Sequence, residues 1–61
     1  MSKFIAFNEI GVNSETILVN TDKIVRINRG KNDTYCNLHM DDGSCINVDG
    51  SFLEVMAKVG L

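Results

Sequence analysis

The sequence has no proline and no tryptophan, two cysteines, one histidine, and only three phenylalanines and one tyrosine among its 61 residues. Each scarcity excludes something. Without proline, and with only five glycines, the chain lacks the composition of a linker or a disordered tail. Two cysteines are too few for a disulfide framework; in a small intracellular chain they read as buried or bystander thiols. The longest apolar run, Phe4 to Phe7, is far short of the roughly 20 residues of a membrane-spanning helix. The first residues also lack the apolar region of a signal peptide, so the expectation is a cytoplasmic protein without membrane contact. A net charge of -2 with a pI near 5.0 supplies no field to gather phosphate backbones, which argues against nucleic acid as a partner.

What is there is ordinary globular usage, 44% apolar and 23% charged, and a length that holds a single domain over residues 1–61. A domain of this size buries only about 60% of the surface its unfolded chain exposes. Such a thin core is commonly completed by association with another chain. A homo-oligomer is therefore expected on physical grounds, with another protein as the alternative partner.

Along the chain, Lys3 to Asn8 is rich in aromatic and β-branched residues, and Phe4, Ile5, Ala6 and Phe7 are continuously apolar. The pattern predicts a strand covered on both faces. Gly11, Asn13 and Ser14 make an irregular loop before strand character resumes at Thr16 to Asn20. After a polar break, Ile24 to Arg29 is predicted as a third strand with Val25 and Ile27 inward. Thr34 to Met40 is the fourth, with Cys36, Leu38 and Met40 inward, and Ser44 to Asp49 the fifth, with Ile46 and Val48 inward.

Turn chemistry fixes the registers. Asp41-Asp42-Gly43 suits a three-residue hairpin loop with Gly43 left-handed, which pairs Leu38 with Ile46 and Cys36 with Val48. A four-residue loop at Gly30 to Asp33 pairs Ile27 with Cys36 and Val25 with Leu38. The opposite face then carries three rows: Ile24, His39 and Cys45; Arg26, Asn37 and Asn47; Asn28, Tyr35 and Asp49.

Ser51-Phe52-Leu53-Glu54 fits a helix capping box, Phe52, Val55, Met56 and Val59 recur at helical spacing, and Gly60 suits a C-terminal stop. The fold class expected is small α+β: a twisted antiparallel sheet or partial barrel of about five strands with one C-terminal helix. Five strands about 4.8 Å apart span roughly 24 Å, while a helix is about 10–12 Å across. Either the sheet curls or a second subunit covers the rest.

Residues that could carry chemistry have simpler readings. His39 opposite Cys45 is at most half of a zinc site, which takes three or four protein ligands; no metal and no cofactor is assigned. Cys36 and Cys45 face opposite sides of the sheet and are not expected to bridge. Asp41-Asp42-Gly43-Ser44 lacks the ligand spacing of a calcium loop. With one histidine and no nucleophile elbow, no catalytic residue is assigned and the chain is read as not an enzyme. Lys23, Arg26, Arg29 and Lys31 form a local basic grouping with Tyr35 beside it, of which Arg26, Arg29, Lys31 and Tyr35 could contact nucleic acid or an anion, although Asp22, Asp33 and Asp49 dilute its field.

From residue 17 onward the chain resembles the short FlbD-type proteins of flagellar and swarming motility. The matching pieces are Ile17-Leu18-Val19-Asn20-Thr21-Asp22-Lys23-Ile24-Val25, then Asp42-Gly43-Ser44 with Ile46 and Val48, then Ser51-Phe52 with Glu54-Val55. The resemblance implies a compact sheet with a C-terminal helix and no catalytic residues. The order of elements is also similar, more weakly, to the LytTR DNA-binding module. The function expected is a non-enzymatic interaction module acting as a homo-oligomer, with Phe4, Ile5 and Phe7 at its interface. The alternatives are a nucleic-acid-binding regulator using the basic grouping, or a phage-encoded binder of a small molecule or host protein.

Overall fold

The computed structural model describes residues 3–11 and 15–60. Five strands and one helix follow in chain order: β1 (Phe4–Asn8), β2 (Thr16–Asn20), β3 (Ile24–Arg29), β4 (Tyr35–Met40), β5 (Cys45–Asp49) and α1 (Phe52–Val59). The small α+β class is as expected. The strands form two antiparallel sheets instead of one, β1–β2 and β3–β4–β5. A 3-10 turn at Thr21–Lys23 separates them, and it starts where the Asn20 side chain accepts from the Asp22 N–H. The sheets meet again at the far end of β1, where Glu9 bridges Val48 and the Ile10 N–H donates to the Asn47 carbonyl. The predicted curl thus takes the form of a corner plus a bridge.

Alternation places the core between the sheets and the helix. Phe7, Val19, Cys36, Leu38, Val48 and Val55 are buried, with Ile5, Ile17, Ile24, Ile27, Met40, Ile46, Phe52 and Val59 packed around them. In β1 only Ile5 and Phe7 turn inward; Phe4 and Ala6 are exposed. The two-sided covering expected of this strand is therefore corrected within one chain, because a two-stranded ribbon has a core against one face only. The middle of the first hairpin's loop, residues 12–14, lies outside the described residues.

The β4–β5 hairpin has the deduced register, with Leu38 opposite Ile46 and Cys36 opposite Val48. Its turn closes by a Gly43 N–H bond to the Met40 carbonyl, with Gly43 at φ 91°. Asp42 accepts from the Ser44 N–H, and the Ser44 hydroxyl and N–H together hold the Asp42 carboxyl below its usual range.

The β3–β4 register differs from expectation. Ile27 lies opposite Leu38 and Arg29 opposite Cys36, two residues along from the deduced pairs, so Ile27 remains inward. The ladder continues to Gly30, whose N–H donates to the Tyr35 carbonyl, and the loop is displaced to Lys31–Thr34. Asn32 and Asp33 at φ 60° and 56° turn the chain there, as only short polar side chains do readily. At the other end a bulge between Ile24 and Arg26 places Ile24 half-buried and Val25 outside, 67% exposed. Val25 is thus not the inward residue that simple alternation predicts.

The helix starts and stops where the sequence indicates. Ser51 accepts from the Glu54 N–H and Gly60 ends α1 in a left-handed conformation. A second bond to the start of the helix comes from a distant loop, where Asp33 accepts from the Phe52 N–H. Lys58 pins the helix to β1, donating to the Ala6 carbonyl and lying over the Phe7 ring.

Candidate functional site

Two surfaces stand out once the core is accounted for. The first is the outward face of the β1–β2 ribbon. Alternation puts Phe4, Ala6 and Asn8 outside, and the register sets them opposite Asn20, Leu18 and Thr16. Phe4 is 59% and Leu18 69% exposed. Leu18 faces Ala6 directly and Phe4 diagonally, so the three make one apolar strip, bounded by the Thr16 hydroxyl bonded to the Asn8 side chain. Among the described residues β2 pairs only with β1, so this strip borders a free sheet edge.

The predicted interface residues are divided by this arrangement. Phe4 belongs to the strip. Phe7, at 1% exposure, is interior, and Ile5 is half-buried on the same inward side. Leu18, opposite Ala6, is the other large apolar side chain of the strip; a register for the first hairpin is the signal that reveals it.

The second surface is a groove of about 530 Å³ between β3 and α1. One wall is the consecutive run Ile24, Val25, Arg26 and Ile27. The other is Phe52, Met56 and Val59, the same helical face at intervals of four and three residues. Lys3, Thr21 and Asp22 complete the lining.

The basic grouping does not converge into a cluster. Arg29 is committed to the fold, 3.6 Å from the Asp33 carboxylate and over the Phe52 ring. Lys31 is in the following loop. Tyr35 lies so close to Gly30 that a Cβ there would meet its ring at 2.6 Å. Arg26 stands apart on β3, opposite His39.

On the outward face of the three-stranded sheet the rows are shifted by the β3 register. Arg26, not Ile24, shares a row with His39 and Cys45, and Asn28 shares one with Asn37 and Asn47. Asn37 donates its amide to Asn47, and the Asn28 amide contacts His39 Nε2 at 3.3 Å. Cys45 Sγ is 3.8 Å from both ring nitrogens of His39. No group of three or more His, Cys, Asp or Glu side chains able to hold a metal occurs among the described residues. Cys36 is buried and Cys45 exposed, both as free thiols; burial, helped by the Asp33 charge, pushes the Cys36 thiol up from its ordinary value.

No helix among the described residues is long and apolar enough to cross a membrane. Comparison of the chain with family models, curated proteins and solved structures returned no match.

Proposed function

We propose that this protein is a non-enzymatic interaction module that works as a homo-oligomer, joined through the outward strip of the β1–β2 ribbon. The observation that carries this reading is the pair Phe4 and Leu18, more than half exposed on a ribbon whose other face is the core. A two-stranded ribbon is marginal by itself. Covering its outer face with the same face of a second copy removes apolar surface from water on both sides, and each buried leucine-sized side chain contributes roughly 1.5–3 kcal/mol. A two-fold axis through the strip sets Phe4 and Leu18 of one copy against those of the other, as a self-complementary patch requires. The FlbD-type resemblance is compatible with such a role, since it implies no catalytic residues.

The nucleic-acid reading has less support, because Arg29 is already engaged by Asp33 and Phe52. The experiment is a Leu18→Lys variant, which leaves the core untouched and places charge in the strip. It should shift the protein to monomer while its far-UV circular dichroism remains that of the parent. An unchanged oligomeric mass would remove the strip from the interface.

A further inference from the structure

The groove between β3 and α1 is a second surface, and its walls are of two kinds. On one side is the edge of a sheet. Among the described residues β3 pairs only with β4, and no backbone group of Val25, Arg26 or Ile27 bonds to anything outside that pairing. On the other side is the apolar stripe Phe52, Met56 and Val59. From Ile24 to Ile27 an extended strand advances about 10 Å, and from Phe52 to Val59 a helix advances about 10 Å. The walls match in length, with room for three or four residues of extended chain.

We propose that this groove binds an extended peptide segment of another protein by strand addition. The peptide backbone pairs with the free edge of β3, alternate apolar side chains lie against α1, and acidic residues flank them. An unpaired edge presents main-chain donors and acceptors that an extended peptide satisfies and a purely aliphatic ligand does not. Charge sets the flanks. Lys3, and Arg26 from the outward side of the β3 edge, border the groove against the single carboxylate of Asp22, and neither cation has an ion-pair partner among the described residues. The net positive lining in a chain of overall charge -2 favours an acidic segment. The bulge at Val25 confines the offered edge to a short length, a recognised way of limiting uncontrolled edge pairing. This reading is independent of self-association, and the Leu18→Lys variant should bind as the parent does.

The test is selection of a random octapeptide library displayed on phage against the intact protein, followed by synthesis of the most enriched peptide. The expected result is enrichment of alternating apolar residues with acidic neighbours. Bound peptide should shift the amide resonances of residues 24–27 and 52–59, and protect β3 amides from hydrogen exchange. Methylating the peptide's backbone nitrogens that face β3 should weaken binding about tenfold or more, because each removes a hydrogen bond and leaves a carbonyl unpaired. Met56→Lys, on a half-buried position, should weaken it likewise, and Arg26→Gln should flatten its salt dependence; both variants must retain the parent's circular dichroism, and Arg26→Gln serves if Met56→Lys does not fold. Strand addition is overturned if the library yields no enrichment, if enriched sequences carry apolar residues at helical spacing, or if the methylated peptide binds equally well. It is also overturned if decanoate fills the groove and displaces the peptide without edge protection, or if dilution of the free protein alone shifts the groove resonances, which would make a second copy the occupant.

Discussion

The Asp33 carboxylate accepts a hydrogen bond from the Phe52 backbone N–H at 2.9 Å across nineteen residues of chain. It joins the β3–β4 loop to the first turn of α1. Beside it the Gly50 N–H donates to the Thr34 carbonyl and Arg29 lies over the Phe52 ring. The helix N-terminus is therefore capped twice, locally by Ser51 and from a distance by Asp33. That is how an eight-residue helix, too short to persist alone, is held against the sheet.

Asp33→Ala should destabilise the fold by about 1 kcal/mol through loss of the cap, with a smaller further loss because alanine accepts φ 56° less readily than aspartate. Asp33→Gly loses the cap but accepts the backbone conformation. The difference between the two denaturant midpoints separates the terms, and equal midpoints would show that the left-handed φ carries no cost.

Gly30→Ala should cost about 1–3 kcal/mol by overpacking, since a Cβ there meets both the Tyr35 ring and the Tyr35 carbonyl oxygen at 2.6 Å. Because one obstacle is backbone, Tyr35→Ala in the same chain should restore only part of the loss. Urea denaturation of the single and double variants checks this.

Leu38, fully buried in the middle of β4, should cost about 2–5 kcal/mol on replacement by alanine, through lost burial and a residual cavity. His39 is its neighbour on the outward face, where replacement by alanine should change stability by less than about 0.5 kcal/mol. A larger loss for His39→Ala would mean that the outward face is covered in the assembled protein.

These contrasts mark what was legible in the residues. The β4–β5 register followed from Asp41-Asp42-Gly43 because one turn type alone matched apolar faces on both strands. A loop at Gly30 to Asp33 puts the β3–β4 register two residues short, since nothing in Gly30 to Thr34 declares that Asn32 and Asp33 both turn left-handed and that Gly30 continues the ladder. The bulge at Val25 was hidden by Ile24, Val25 and Ile27, three apolar residues compatible with either alternation. In β1 a continuous apolar run concealed which side was core. The groove is not legible in the sequence, because its walls come from strand and helix residues about thirty positions apart; the helical spacing of Phe52, Met56 and Val59 is visible, but nothing local shows that β3 ends a sheet.

The two thiols should behave differently. Cys45 is exposed and should react rapidly with a thiol reagent in the native state, whereas Cys36 should react only on unfolding. Burial raises the Cys36 thiol in the folded state, so the folded protein holds its proton more firmly than the unfolded chain. Its contribution to stability is full below the ordinary thiol range, near 9.0, and declines as the pH rises through that range toward the folded value. Denaturant midpoints measured through the alkaline range should fall for the parent and fall less for Cys36→Ala. Parallel declines would assign the loss to other groups.

Self-association through the Phe4–Leu18 strip is the central claim, and sedimentation equilibrium at micromolar concentration measures it most directly. The account predicts a species of at least twice the 6.8 kDa chain mass, dissociating on dilution, with a thermal midpoint that rises with protein concentration as coupled folding and association require. A single 6.8 kDa species at every concentration, unfolding cooperatively at a concentration-independent temperature, would contradict it.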